Sequence, residues 1–262
     1  YAYDAWGRVL RKTQAVVAPR VARTRAGRYP PIPRLSCGSP TSQCWSTCNP
    51  RHPVPAPPLP IAVLHLDESC LGNGQLRATP GGAGGLIEAR AGGRVERRDL
   101  YLHAPDTTNN RMALAGAIAA LQLLAGKGKR LRVLIVSDSE YLVKGMREWV
   151  PGWMARGWKR KGGEIENLEL WRVLVDSARQ HEVQWTWVRG HRGHAKNEYA
   201  NDLAVKAATE QITSHGAVES GFPAWLAAHQ AKGKFTDYDS DAEFVTLEQR
   251  LAVGEEFRRA ES

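Results

Sequence analysis

The pattern of apolar and polar residues predicts ordered elements only beyond about residue 60. There, short apolar or alternating runs predict strands over residues 61–67, 86–90 and 94–103. Between the first two strands, residues 72–85 are rich in glycine and predict a loop. This part of the chain therefore begins with three consecutive strands.

Helical periodicity alternates with apolar strands over the rest of this region. A helix is predicted over residues 109–126, with Asn109 or Asn110 as its N-terminal cap and Gly126 at its end. Four further segments follow: a strand over 131–138, helical stretches within 139–180 that break near Pro151 and Gly162-Gly163, a strand over 183–188 and a helix over 194–211. The order β-β-β-α-β-α-β-α predicts an α/β fold in which helices flank a mixed sheet.

Composition divides the chain into three parts. Residues 1–60 hold eleven of the fifteen prolines and nine Arg or Lys against one Asp, which predicts an extended or disordered Pro/Arg-rich segment. Residues 61–212 carry the periodic pattern and predict the folded domain. Residues 213–262 form an acidic and partly helical tail, which we expect either to dock on the domain or to bind another protein.

Charge and hydropathy exclude some classes of protein. The net charge of +9 suggests an acidic partner, but most of the excess lies in residues 1–60, so charge alone is weak evidence for nucleic-acid binding. No apolar run approaches the ~20 residues of a membrane-spanning helix. We therefore expect a soluble, cytoplasmic monomer without a membrane partner. The chain begins with Tyr rather than Met, so we expect it to be a fragment of a longer protein.

Two features of the N-terminal segment leave alternatives open. Cys37, Cys44, Cys48 and His52 offer metal-ligand atoms, but their spacing matches no strong zinc pattern, which favours free thiols. Residues 1–12, YAYDAWGRVLRK, resemble a single Tyr-Asp (Rhs-type) repeat. That resemblance would make the folded domain the cargo of a secreted toxin delivered into a target cell; a chance match is the alternative.

Three aspartates are candidates for a shared site. Asp67 and Asp138 each follow an apolar strand, and Asp202 lies in the last predicted helix of the domain. If the two strands are neighbours, their carboxylates project at one edge of the sheet, where α/β folds place their sites. Clustered carboxylates need cations, and oxygen ligands favour Mg²⁺ or Mn²⁺. The alternative is three unrelated surface aspartates.

Several motifs resemble bacterial-type ribonuclease H. They occur in the same order as in that family over residues 61–212: LDESCLGN, TTNNRMALAGAI, VSDSEYLVKGMREWVPGWMARGWK, NLELWRVL and WTWVRGHRGHAKNEYANDLA. The resemblance implies a five-stranded mixed sheet with helices. It also implies cleavage of the RNA strand of RNA–DNA hybrids with two Mg²⁺ ions, for which Mn²⁺ is a possible substitute.

The resemblance assigns a role to individual residues. It places Asp67, Asp138 and Asp202 among the metal-binding carboxylates, and His191 at the position that aids proton transfer or product departure. It places Asn73, Asn109 and Asn110 against the sugars and bases of the hybrid, Thr108 in a pocket for a DNA phosphate, and Asn197 close to the site. An insertion, GQLRATP, follows Asn73 and leaves the placement of that residue in doubt.

One catalytic position departs from the family. The resemblance implies a fourth carboxylate, a Glu, where this chain has Ala113. Two nearby acids also depart from the family, Glu68 and Glu140. Strand alternation points Glu68 away from the face of Asp67, so we expect Glu140 to be the better substitute.

A basic segment rich in tryptophan is a candidate nucleic-acid surface. WVPGWMARGWKRKGG resembles the protrusion with which the family grips the DNA strand, with Trp149 and Lys159 as contacts. Packing between helices is the alternative role of the rings, and we expect both: rings that pack and Lys or Arg tips that meet phosphates. Of Trp185 and Trp187, we expect only one to face inward.

Three functions are therefore compatible with the sequence. The first is a ribonuclease H-type endonuclease impaired by Ala113. The second is a catalytically inactive module that binds RNA–DNA hybrids. The third is the nuclease cargo of a Tyr-Asp-repeat toxin, which depends on residues 1–12 alone.

Overall fold

A computed structural model describes residues 58–72, 79–126, 128–190 and 193–257. Several of the predicted features lie outside the described residues: Asn73, His191, the four candidate zinc ligands and the Tyr-Asp motif. The strands are β1 (Ile61–Cys70), β2 (Thr79–Ala91), β3 (Arg94–Thr107), β4 (Arg132–Ser137), β5 (Glu182–Trp187) and β6 (Val218–Glu219). The helices are α1 (Asn109–Ala125), α2 (Glu140–Lys144), α3 (Val150–Ala155), α4 (Leu168–Ala178), α5 (Ala195–Glu210), α6 (Phe222–Gln230) and α7 (Ser240–Ala252).

The strands form one mixed sheet in the order β5-β4-β1-β2-β3-β6. β1, β4 and β5 are parallel, whereas β1, β2, β3 and β6 pair antiparallel. The predicted α/β fold with a mixed sheet flanked by helices is confirmed. The sixth strand is a two-residue addition from the C-terminal tail, which pairs with the edge of β3 at Arg98 and Asp99.

The glycine-rich segment is a strand over much of its length rather than the predicted loop. β2 begins at Thr79 and includes Gly82 and Gly84. A Cβ atom built on Gly84 would lie 2.2 Å from the backbone oxygen of Ala200, and one on Gly82 would lie 2.2 Å from that of Ala204. The glycines therefore let the α5 backbone pack directly on the sheet, and glycine in a strand can mark such a close approach.

The first helix is capped one residue earlier than predicted. Thr108 has extended backbone angles, and its side chain accepts a hydrogen bond from the backbone N–H of Arg111 at 3.3 Å. Asn109 and Asn110 are instead the first two residues of α1, and neither is the cap. The helix is apolar over most of its surface because it packs against both the sheet and α4.

The chain stays helical through Pro151. A π-helical segment, Gly145–Trp149, joins α2 to α3, and Pro151 lies in the first turn of α3. Proline is tolerated there because the first turn of a helix has N–H groups without intrahelical partners. The predicted break near Pro151 is therefore wrong, and the helix ends at Ala155.

The two faces of the sheet carry different helices. α1 and α4 cover the face that Leu64, Leu66 and Ile135 share, whereas α5 lies across β1 and β2 on the other face. Both Trp185 and Trp187 pack into the core on the α1 side. The expectation that only one would face inward is wrong, because residues two apart in a strand share a face.

The C-terminal tail packs on the domain. α6 buries Phe222 and Leu226 against Tyr199 of α5, and α7 buries Phe244 and Leu251 beside strand residues of the sheet. The tail therefore completes the core on the α5 face. No helix within the part of the chain that the structure describes is long and apolar enough to cross a bilayer.

Buried charges attach the tail to the sheet. Lys196 is almost fully buried, and its ammonium group lies 2.8 Å from Glu88 and 3.0 Å from Glu243 of α7. Glu88 also pairs with Arg97 at 2.8 Å, and His65 Nε2 lies 3.2 Å from its carboxylate. Burial raises the pKa of Glu88, but the hydrogen bond and charge of His65 and the charge of Lys196 outweigh burial and lower it to about 2.

Candidate active site

Asp67 and Asp138 lie side by side just beyond the paired residues of two neighbouring parallel strands, β1 and β4. Leu66 of β1 pairs with Ser137 of β4, and each aspartate is the next residue of its chain segment. Hydrophobic alternation builds both strands, and their shared direction brings the two carboxylates to one edge of the sheet. Asp67 is buried and Asp138 is half-buried.

Asn197 connects the two carboxylates. Its side-chain nitrogen donates to Asp67 Oδ2 at 3.1 Å and to Asp138 Oδ1 at 3.5 Å. Because both distances are measured from one nitrogen, the two oxygens are at most 6.6 Å apart. Asn197 lies in the first turn of α5 and is buried, so the helix fixes the amide in place.

The pair is electrostatically unfavourable when both groups are ionised. Burial, followed by the charges of Asp138 and Glu68, raises the pKa of Asp67 to about 8. The hydrogen bonds from the Glu68 backbone N–H, at 2.7 Å, and from Asn197 oppose this rise but do not cancel it. A site of this kind becomes stable when a cation neutralises its carboxylates.

The oxygen atoms at this edge suit a hard divalent cation. Asp67 and Asp138 offer carboxylate oxygens close together, and such ligands favour Mg²⁺ or Mn²⁺. Within the described ranges, no group of three or more His, Cys, Asp or Glu side chains is already arranged around one metal position. The pair therefore fits the implied metal, while the predicted three-aspartate cluster is not formed.

Asp202 is the aspartate that the structure does not bring to the site. Its exposed carboxylate accepts a hydrogen bond from Trp225 Nε1 of α6 at 2.7 Å. One helical turn after Asn197 comes Asn201, and Asp202 lies a further 100° or so around the helix. Sequence reasoning missed Asn201, although its four-residue spacing from Asn197 was the signal that it shares that face.

Glu68 and Glu140, the acids considered as substitutes for the Glu that the resemblance implies at position 113, differ in their surroundings. Ala113 is buried in the first turns of α1, within the same core cluster as Leu66. Glu140 is exposed and pairs with Lys144 at 2.6 Å, four residues along the chain. The carboxylate of Glu68 interacts electrostatically with Asp138.

The segment that carries Asp138 is held by two neighbours that sequence reasoning missed. Trp187 Nε1 donates to the backbone oxygen of Asp138 at 2.9 Å. Gly190 lies against the carboxylate, because a Cβ atom there would lie 2.3 Å from Asp138 Oδ2. A side chain at position 190, which directly precedes His191, would therefore displace the Asp138 carboxylate from this position.

Three of the residues predicted to contact nucleic acid lie together at the start of α1. Thr108 is exposed, while Asn109 and Asn110 are half-buried. The buried side-chain oxygen of Asn109 has no hydrogen-bond partner among the described residues. A buried polar atom of this kind is costly without a partner, so it is suited to contact a ligand.

In the basic Trp-rich segment the rings pack as expected, and the cationic side chains are exposed. Trp149 packs against Tyr141 and Trp153, with ring centroids 5.8 and 6.0 Å apart. Lys159 is exposed. Trp149 also lines a cavity of about 350 Å³ whose rim includes Arg160 and Lys161, so apolar rings and cationic groups occur on one surface.

Known proteins similar to this chain share the folded region. A family model described as RNase H matches residues 61–209, more than half of the chain. The ribonuclease H of Syntrophotalea carbinolica is 45% identical over 155 residues, which cover 59% of this chain and 95% of that relative. The ribonuclease H of Aromatoleum aromaticum is 41% identical over 160 residues, which cover 60% of this chain and 96% of the relative.

A solved RNase H structure is also similar to this chain. LC9-RNase H1, described as a type 1 RNase H with the type 2 active-site motif, is 51% identical to this chain. The TM-score is 0.61, and the match covers 65% of this chain and 82% of that one.

Proposed function

Given that the chain belongs to the RNase H family, we propose that it hydrolyses the RNA strand of RNA–DNA hybrids. The observation that carries the proposal is the pair of carboxylates, Asp67 and Asp138, held by one amide of Asn197 at the edge of the sheet. Relatives at 41–45% identity named ribonuclease H support the same activity.

In this proposal Asp67 and Asp138 are the residues that would hold the metal ions. Bound Mg²⁺ or Mn²⁺ would supply positive charge that stabilises the oxygens of a phosphodiester during hydrolysis. Asn197 orients both carboxylates, and Trp187 and Gly190 fix the backbone and carboxylate of Asp138. Asp202 is left out of the ligand set because Trp225 occupies it on the exposed side of α5.

The hybrid is bound across the site by residues on separate elements. Thr108, Asn109 and Asn110 contact one strand from the start of α1, and the basic surface around Trp149 and Lys159 contacts the DNA backbone. A-form-like duplexes are recognised by the shape of the minor groove and by 2′-OH groups. Binding is therefore independent of base sequence. His191 and Asn73 keep their proposed roles in product departure and in hybrid contact.

Ala113 favours a second candidate function, binding of the hybrid without cleavage. Ala113 offers neither charge nor lone pair where the family resemblance implies a carboxylate, and it is buried in α1. Loss of a group that merely supports a metal ligand costs about 10–100-fold in affinity or activity. On this basis the second candidate is a module that binds hybrids without cutting them.

One experiment separates these functions. RNA–DNA hybrid, RNA–RNA and DNA–DNA duplexes, each labelled on one strand, are incubated with the full chain and Mg²⁺ or Mn²⁺. We expect metal-dependent cleavage of RNA in the hybrid alone. Binding of the hybrid without cleavage in either metal would establish the inactive module instead, and failure to bind the hybrid would contradict both.

A further inference from the structure

We propose that Trp225 of the C-terminal tail is a positioning residue for the active site, on which it acts through its hydrogen bond to Asp202 of α5. The inference rests on the proposed function, because it concerns how the proposed metal-binding carboxylates are held in place. The region that matches the RNase H family model ends at residue 209, so Trp225 and the rest of the tail lie beyond it.

The first turns of α5 carry a site residue on one side and tail contacts on the other. Asn197 donates to both Asp67 and Asp138. Tyr199 comes two residues later, about 200° around the helix axis, so it lies on the opposite side. Its ring packs against Phe222 of α6 in an edge-on contact, with centroids 5.3 Å apart. The tail therefore contacts α5 directly behind the amide that binds both carboxylates.

Trp225 adds a directional bond to this packing. Its ring centroid lies 5.5 Å from that of Tyr199 and 6.0 Å from that of Phe222. The indole Nε1 donates to Asp202 Oδ2 at 2.7 Å. Hydrogen bonds to carboxylates are stronger than those between neutral groups, and this one resists rotation of α5 about its axis. Trp225 therefore fixes the rotational position of the helix that carries Asn197.

The tail holds the indole itself in place. The Trp225 ring stacks on His229, with centroids 4.0 Å apart. The start of α6 is anchored to the sheet, because Asp99 of β3 accepts hydrogen bonds from Ser220 Oγ at 2.6 Å and from the Gly221 N–H at 3.0 Å. The bond to α5 is therefore supported by a strand of the sheet.

The sheet side of α5 offers few side chains that could fix this rotation. Side-chain ridges that interlock with grooves normally set the orientation of a packed helix. Here Gly82 and Gly84 meet the helix backbone, and the residues of α5 nearest to them include only small side chains among the buried ones: Ala200, Ala204, Ala207 and Ala208. Contacts from the tail therefore set the rotation that holds the Asn197 amide against the carboxylates.

Mn²⁺ binding provides a test that does not depend on cleavage. Trp225→Phe keeps an aromatic ring but removes the indole N–H. Calorimetric titration of the full chain with Mn²⁺, without substrate, should show about three- to tenfold weaker binding in this variant, less than the 10–100-fold typical of a residue that touches the ligands directly. Glu248→Gln is the control, because it removes a 2.6 Å ion pair between the tail and Arg90 of β2 and should leave Mn²⁺ affinity unchanged. Circular dichroism in EDTA checks that each variant is folded.

Steady-state cleavage of the hybrid separates positioning from substrate contact. In Trp225→Phe we expect kcat to fall by a similar factor and KM for the hybrid to stay unchanged. Asp202→Ala should have the same effect, and the double variant should lose no more than either single one, because both changes break one bond. Asp202→Asn retains an oxygen that accepts from the indole, so it should restore the kcat that Asp202→Ala loses.

Three results would overturn the inference. They are unchanged Mn²⁺ affinity and kcat in folded Trp225→Phe, a higher KM with unchanged kcat, and additive losses in the double variant. Failure of the proposed function is distinguishable from these: the unaltered chain would cut no hybrid, while the Mn²⁺ titrations would still compare the variants. Absence of Mn²⁺ binding by the unaltered chain would overturn both.

Discussion

Asn197 and Asn201 illustrate how a helix selects the residues of a site. Both lie on the side of α5 that approaches Asp67, since a four-residue step returns nearly to the same face. Gly84, which pairs with Asp67, lies beneath the backbone of residues 200–204. Asn201 is therefore level with Asp67, and its amide oxygen is an oxygen ligand of the type that Mg²⁺ accepts.

Substitution tests whether Asn201, rather than Asp202, contributes to cleavage. Asn201→Ala should lower hybrid cleavage at least about tenfold, because it removes an amide oxygen from the face of α5 that approaches Asp67, where we propose the metal to bind. Asp202→Asn should leave the rate nearly unchanged, because Asp202 is exposed and bonded to Trp225. Initial rates of both variants at saturating Mg²⁺ decide the matter, and a larger loss in Asp202→Asn would contradict the helix geometry.

At the scale of elements, β2 and α5 depend on each other. Gly82 and Gly84 allow the helix backbone to touch the strand, and the helix in turn presents Asn197 to the carboxylates. A side chain on β2 at these positions would push α5 away from the site. The glycines of β2 therefore influence the position of Asn197, because they allow α5 to pack closely against the sheet.

This dependence predicts a stability effect for one methyl group. Gly84→Ala should lower the free energy of unfolding by about 1–3 kcal/mol, the usual cost of overpacking, because its Cβ would collide with the Ala200 carbonyl. Gly126→Ala is the matched control, since that residue is right-handed helical and the new Cβ would meet only ordinary contacts. Urea denaturation of both variants measures the difference; equal stabilities would be inconsistent with the close packing of α5.

The strands and α5 also show which parts of the fold and of the candidate site the sequence can predict. Apolar runs predicted β1 and β4 correctly, because periodicity is a local signal. The meeting of Asp67 and Asp138 was conditional on the two strands being neighbours, and the structure shows that they are. The glycines of β2 were assigned to a loop because their partner is a helix more than 100 residues later. Asp202 was placed in the site because a motif match does not give the rotation of a helix to within one residue.

On the scale of the whole molecule, the tail and the domain share one set of buried charges. Lys196 lies between Glu88 of the sheet and Glu243 of the tail, and it also donates to the backbone oxygen of Ser240 at 3.0 Å. Sequence reasoning left docking of the tail as one of two alternatives, because these partners are far apart in the chain. The structure establishes the docking, so residues 213–257 contribute to the fold.

Removal of the buried Lys196 ammonium group should destabilise the protein. Lys196→Met leaves buried carboxylates without their shared partner, which typically costs about 3–5 kcal/mol. Lys144→Met removes an exposed pair with Glu140 and should cost less than about 0.5 kcal/mol. Chemical denaturation of both variants at neutral pH provides the comparison. A similar small loss in both would mean that the tail is not held by this network.

The same network gives a dependence of stability on pH. The pKa of Glu88 is lowered in the folded state from its ordinary value of 4.5 to about 2. A carboxylate with a lowered folded-state pKa contributes stability that is present above its unfolded pKa and lost as pH falls through its folded pKa. The free energy of unfolding should therefore fall between about pH 4.5 and pH 2, with a shallower fall in Glu88→Gln. An equally steep fall in that variant would assign the effect to other groups.

Single-turnover cleavage of an RNA–DNA hybrid by the full chain and by Asp138→Asn tests the central claim most directly. With Mg²⁺ present, the unaltered chain should cut the RNA strand. Asp138→Asn should cut at least about 100-fold more slowly while binding the hybrid with similar affinity, because its fold and its proposed nucleic-acid surface are unchanged. Equal rates in the two proteins would contradict a metal site built on Asp67 and Asp138.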